Sequence, residues 1–298
     1  MPEKDSLIVG FNHMFLYPDS MTDGNIHTKT LEQLSQLQGF DALDCWVWAA
    51  NAKEELAALK GSGKQINYNI GDRPGDKPVF PATADPGERA YSLDILRRET
   101  DFALEAGAKK IIFGSGKDVP ENREDAKKRF EEFILQWSEF IPQDVWLTLE
   151  PTDRDVDKHF LFGSMAETRE TVYNIRKAGM ANFGILLDMG HIPIMHETLQ
   201  SAAMAAGELL EHIHLGNCVI KDKTSPYYGD KHPCWGYPGG EYDETDGAIF
   251  LEELKKAGYF YRGNPRTVSF EMRPLTGKTA EQTVEYLSHW IKRTYAGI

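Results

Sequence analysis

Residues 145–191 read VWLTLEPTDRDVDKHFLFGSMAETRETVYNIRKAGMANFGILLDMGH, and this stretch contains the repeating unit of the fold. Val145–Glu150 is a short run of apolar and β-branched residues that ends in a carboxylate, the pattern of a buried strand. Ser164 and Glu167 form a capping-box pair at the start of a helix, and Met165–Ala178 then carries apolar residues at the spacing of one helix face. Gly179 follows as a C-cap glycine should. Gly184–Met189 is a second continuous apolar run, suited to a parallel strand covered on both faces.

The same alternation extends outward to both ends of the chain. Strands are predicted at Leu7–Tyr17, Ala42–Trp48, Gln65–Gly71, Lys110–Gly114, Val145–Glu150, Gly184–Met189, His212–Gly216 and Thr267–Glu271. Amphipathic helices between them include Glu88–Ala106, Arg123–Phe140, Met165–Ala178, Phe250–Ala257 and Ala280–Tyr295. Eight strand–helix units in strict order favour an α/β protein built as one closed (β/α)8 TIM barrel over residues 1–298, because open doubly wound sheets have fewer strands and a reversal of order. No glycine-rich phosphate fingerprint follows the first strand. The one long irregular stretch, 217–247, reads as an active-site loop.

Composition narrows the partners. A net charge of −13 disfavours a general nucleic-acid binder and fits a small polar substrate. Cys45, Cys218 and Cys234 make an odd count without a CxxC pair, so neither a disulfide framework nor a zinc ribbon is expected, and a cytoplasmic protein is. The N-terminal residues lack the basic start and apolar run of a secretory signal. Apolar runs such as Phe183–Met189 are far shorter than the roughly 18 residues of a membrane helix, so no membrane association is expected.

Four later strands end in ionisable residues: Glu150, Asp188 with His191, His212 with His214, and Glu271 with Arg273. One glutamate at a strand end is usually a loop residue or a helix cap. Four such ends in register on a barrel, where the C-terminal ends of strands build the active site, mean something else. Glu150, Asp188 and Glu271 in one cavity need a cation or protons to neutralise them, and a divalent metal is the economical answer. Carboxylates with one imidazole suit Mn2+ first, with Mg2+, Co2+ or Zn2+ as alternatives. His212 and His214 are two apart and point the same way, so His214, nearer the strand end, is the expected ligand and His212 a core histidine.

These residues resemble the xylose isomerase-like barrel superfamily of sugar isomerases and epimerases over about the whole chain. In its ketose 3-epimerase branch the ends of strands five to eight supply Glu, Asp, His and Glu to a metal, matched here by Glu150, Asp188, His214 and Glu271. The resemblance implies that Glu150 and Glu271 remove and return a proton beside a carbonyl, by way of an enediolate. It further implies that His191, Lys221 and Arg273 orient substrate hydroxyls. Gly229-Asp230-Lys231-His232-Pro233 resembles an Asp-x-His zinc element of the endonuclease IV branch. That branch also needs histidines where this chain has Asn67-Tyr68-Asn69 and Gly114-Ser115-Gly116.

Asp230 and His232 therefore stand as substrate or supporting residues, against the plainer reading that they rigidify a Gly/Pro-rich loop. Trp48, and with it Trp46 and Trp235, is placed either against a sugar ring or in the core. His13 and His159 are weaker candidates. An isomerase or epimerase is the first expectation. The loop from Tyr228 to Glu241 also resembles that of C-glycoside deglycosidases, and the superfamily includes inosose dehydratases, so a lyase acting on an oxidised sugar is the alternative; a non-catalytic carbohydrate-binding barrel is the third. The resemblance implies a homo-oligomer, with a second small subunit if the chain is a deglycosidase.

Overall fold

Each strand pairs in parallel with its sequence neighbours and the eighth closes on the first, giving one barrel in the order β1 to β8. The computed structural model describes residues 4–71 and 78–298. Its elements are β1 (Leu7–Asn12), α1 (His13–Leu16), α2 (Gly24–Gln36), β2 (Ala42–Cys45), α3 (Ala52–Gly61), β3 (Gln65–Ile70), α4 (Pro86–Glu105), β4 (Lys110–Gly114), α5 (Arg123–Ser138), β5 (Trp146–Glu150), α6 (Met165–Lys177), β6 (Phe183–Asp188), α7 (His191–Ile194), α8 (Leu199–Ala206), β7 (Leu210–Leu215), α9 (Glu244–Lys256), β8 (Arg266–Phe270) and α10 (Ala280–Gly297). This is the predicted (β/α)8 TIM barrel, with the longer helices forming the outer ring.

Register brings the functional strand ends level. Gly114 pairs with Glu150, Asp188 with His214, and Leu215 with Phe270, immediately before Glu271. The core lies mainly between barrel and helices, where Phe113 on β4 meets the indole of Trp137 on α5 edge-on at 5.0 Å. All three cysteines are free and buried. Among the described residues no helix is long and apolar enough to cross a membrane.

Two boundary expectations that bear on the site need correction. The first strand stops at Asn12 rather than Tyr17, because the Asn12 side chain accepts the amides of Met14 and Phe15 and starts α1 there. His13 accordingly lies in a helical turn, buried, with Nε2 2.8 Å from Thr30 Oγ1. The irregular stretch predicted to reach Gly247 ends at Asp243, where a capping box with Asp246 starts α9 well before Phe250. The first turn of α9 is polar, so apolar periodicity did not reveal it. The barrel interior also holds polar side chains: Asp44, Asn67, Lys110, His212 and Ser269 are all buried there.

Candidate metal centre and active-site cavity

The ends of β5, β6, β7 and β8 bring Glu150, Asp188, His214 and Glu271 together, each offering one donor atom within 4.8 Å of the others. Asp188 and His214 are fully buried and Glu271 is 3% exposed, while the Glu150 side chain retains 13% exposure and opens to the cavity. Glu150 Oε1, Asp188 Oδ2, His214 Nδ1 and Glu271 Oε2 all lack a hydrogen-bond partner. His214 Nδ1 stands 3.5 Å from both Glu150 Oε1 and Asp188 Oδ2. It comes within 2.5 Å of Glu271 Oε2, yet makes no hydrogen bond with it. The remaining atoms are tied down: Asn12 Nδ2 donates to Glu271 Oε1 at 2.6 Å, the Gly190 amide donates to Asp188 Oδ1, and His214 Nε2 meets Asp44 Oδ2 at 2.7 Å.

The electrostatics favour positive charge among these donors. Burial pushes the Glu271 carboxyl up to about 7, with Glu150 adding to the shift against the pull of His214 and His232. Burial works against charge on His214, but Glu271, with Asp188, Asp44 and Glu150 around the ring, holds its pKa well above the ordinary imidazole value. Asp188 is held below the usual carboxylate range, its burial outweighed by His191, His214 and His232. Three carboxylates thus draw a proton onto the very nitrogen they face, and a divalent cation satisfies the same demand. Three oxygen donors with one nitrogen suit manganese or magnesium better than a sulfur-rich zinc set. The residues present fit such an ion.

A second cluster lines the same cavity. Asp230 Oδ1 lies between His191 Nε2 at 3.0 Å and His232 Nε2 at 2.5 Å. The other ring nitrogens donate to the carbonyls of Pro151 at 3.1 Å and Glu271 at 3.0 Å. Burial opposes charge on both imidazoles, but Asp230 and the neighbouring carboxylates raise His191 well above its ordinary value and His232 to about 9. These three residues also offer donors close enough to hold a metal. His232 has a φ of 49° and His159 a φ of 55°, left-handed conformations that bulky residues rarely adopt. Both residues line the cavity.

That cavity, of about 340 Å³, has Glu150, Glu271, His191, Asp230 and His232 on its polar side. Met14, Phe15, Val79, Phe80 and Phe160 form an apolar wall, with Lys117 and Lys158 among the lining. Lys221 lies outside this lining, exposed and paired with Glu241 at 2.7 Å. Arg273 is half-buried outside it, its guanidinium 5.3 Å from the Tyr227 ring centre. Trp48 is stacked on Trp46 at 5.2 Å, and Trp235 is buried, donating to the Gly216 carbonyl at 3.0 Å.

Asn12, Asp44, Lys117 and Lys158 were not singled out from sequence. Only Asp44 carried a signal: a carboxylate between Leu43 and Cys45 in a short strand implies a buried partner. Backbone approach matters too, because a Cβ at Gly216 would lie 2.7 Å from Asp188 Oδ1 and 3.2 Å from the Glu271 carbonyl. Gly216→Ala is expected to displace the Asp188 carboxylate and weaken binding of an added divalent cation by about tenfold or more, read by calorimetric titration. Unchanged affinity would mean that Asp188 is not a ligand.

The sequence matches the family model described as xylose isomerase-like TIM barrel over residues 31–294. No curated protein matches it. Among solved structures it is similar to 3-keto-D-glucoside 4-epimerase from E. coli, at 16% identity and a TM-score of 0.67, covering 96% of this chain and 100% of the other. It is also similar to D-psicose 3-epimerase from Clostridium cellulolyticum H10, at 15% identity and a TM-score of 0.65, covering 98% of each chain. An AP endonuclease of family 2 from Brucella melitensis aligns at 16% identity and a TM-score of 0.63, over 98% of this chain and 99% of that one. At these identities the likeness shows a shared fold.

Proposed function

We propose that this chain, which belongs to the xylose isomerase-like TIM barrel family, is a divalent-metal-dependent sugar isomerase or epimerase. The observation that carries the reading is the convergence of four unpartnered donor atoms, on Glu150, Asp188, His214 and Glu271, beside the cavity that the two glutamates line. These four residues would hold the ion, with manganese the first choice from their donor set. When bound, the metal supplies electrophilic stabilisation of the oxygen that gains charge when a proton leaves the carbon beside a carbonyl. Glu150 and Glu271 reach the cavity from different strands, and one takes the proton while the other returns it. His191 and His232, both held by Asp230, place positive charge beside the cavity where substrate oxygens would lie. Structural neighbours that act on 3-keto-D-glucoside and D-psicose support a carbohydrate substrate.

A second reading, elimination from an oxidised glycoside, is supported by the same wall. Met14, Phe15, Val79, Phe80 and Phe160 give an apolar group a place beside the sugar, and His191, paired with Asp230, lines the same cavity as a proton source for the leaving group should that pair open. The test is metal analysis of the purified protein, then incubation in D2O with ketoses and 3-oxo-glycosides. About one equivalent of metal, with deuterium uptake that stops on chelation and returns with manganese, is expected. Release of an aglycone alongside uptake selects the lyase. Absence of both metal and exchange sinks both enzymatic readings.

A further inference from the structure

Beneath the four donors, the barrel interior holds charged side chains that the proposed chemistry leaves unused. Asp44 on β2 and His212 on β7 are fully buried, and Lys110 on β4 nearly so. Asp44 Oδ2 meets His212 Nε2 and His214 Nε2 at 2.7 Å each. Its Oδ1 accepts from Asn67 Nδ2 at 2.6 Å and from Ser269 Oγ at 3.0 Å. His212 Nδ1 lies 3.3 Å from Lys110 Nζ, which also donates to the Glu211 carbonyl at 2.6 Å. Burying such a set is costly unless every partner is satisfied. Apolar residues of similar volume would fill the space at less cost, so a role beyond packing is called for.

Donor and acceptor counting fixes the protons. A carboxylate only accepts, so His212 and His214 must both present Nε2–H to Asp44. An imidazole with its hydrogen on Nε2 keeps a lone pair on Nδ1. His212 spends that lone pair on Lys110. His214 turns its Nδ1 toward Glu150, Asp188 and Glu271, where the lone pair is free for a metal once that metal takes the place of the proton drawn there. The other tautomer of His214 would set two lone pairs against each other across the 2.7 Å to Asp44.

We infer that Asp44 is a positioning residue for the metal centre: through His214 Nε2 it fixes that imidazole as an Nδ1 donor, and Lys110 with His212 anchors the carboxylate from below. The inference rests on the proposed assignment of Glu150, Asp188, His214 and Glu271 as ligands. A carboxylate behind a ligating histidine locks the ring's orientation and raises the basicity of the nitrogen facing the metal. Asp44 touches neither substrate nor ion.

The experiment is a manganese titration of metal-free wild type and Asp44→Asn, with circular dichroism to verify folding and visible absorption of the cobalt-loaded forms. Asparagine keeps the shape and removes the charge. The expected result is a manganese dissociation constant about 10- to 100-fold weaker in the variant, with shifted cobalt bands. A folded variant with the wild-type constant and wild-type cobalt spectrum overturns the role of Asp44 and leaves the ligand assignment standing. Wild type that takes up no manganese overturns both. Should the variant not fold, nitrogen-15 spectra of histidine-labelled, sequentially assigned wild type loaded with zinc carry the test. His212 and His214 protonated at Nε2, with no hydrogen on His214 Nδ1, is the expected pattern; a hydrogen on His214 Nδ1 with Nε2 bare overturns the inference.

Discussion

Glu271→Gln is expected to lower metal-dependent deuterium uptake into sugar by about 10²- to 10⁴-fold, the usual contribution of a positioned acid or base. Glutamine fits the space and can still accept from Asn12 Nδ2, so the fold is retained. What disappears is the charge at Oε2, the unpartnered atom facing His214. Measuring exchange at saturating manganese separates a lost base from a weakened metal site. Glu150→Gln provides the comparison, since Glu150 is the more exposed of the two. If each carboxylate serves one face of the substrate, both variants lose epimerisation, while each retains slow exchange from one epimer. Loss of product formation in one variant only, with aglycone still released by the other, selects elimination. Wild-type exchange in Glu271→Gln would remove this residue from the chemistry.

Trp137→Ala is expected to cost about 3–5 kcal/mol of stability, the range for truncating a large buried aromatic. The indole on α5 is fully buried. It packs edge-on against Phe113 of β4 and donates from Nε1 to Thr100 Oγ1 on α4 at 2.9 Å. One substitution therefore opens a cavity between barrel and helix ring and strips a buried hydrogen bond between adjacent helices. Urea unfolding followed by circular dichroism should show a much lower midpoint. Trp137→Phe should recover most of the loss, since the ring contact survives and only the hydrogen bond is missing. A loss below about 1 kcal/mol for the alanine variant would mean that the helix ring closes over the gap.

The barrel was legible because its signals are local and repeated. Apolar runs of strand length, helix faces at regular spacing, and caps at Ser164 and Gly179 are properties of neighbours in sequence. The four donor residues were legible for a related reason: Glu150, Asp188, His214 and Glu271 each sit at or just beyond the end of a core-like run, and in a barrel those ends share one rim. Boundaries were legible only where apolar spacing marked them. Asn12 and Asp243 ended their elements through side-chain caps that hydrophobic periodicity does not register.

Tertiary structure alone decided which side chains meet across the barrel. Asp44 comes from β2 and the histidines it holds come from β7, so no spacing along the chain relates them. Lys221 and Asp230 belong to one loop, yet the first pairs with Glu241 at the surface and the second is buried between His191 and His232. The physical reason is common to both cases. Strand and helix identity follows from patterns within a few residues. The partner of a buried charge is chosen by strand register and loop path, because desolvation admits a charge only where folding has already gathered the groups that satisfy it.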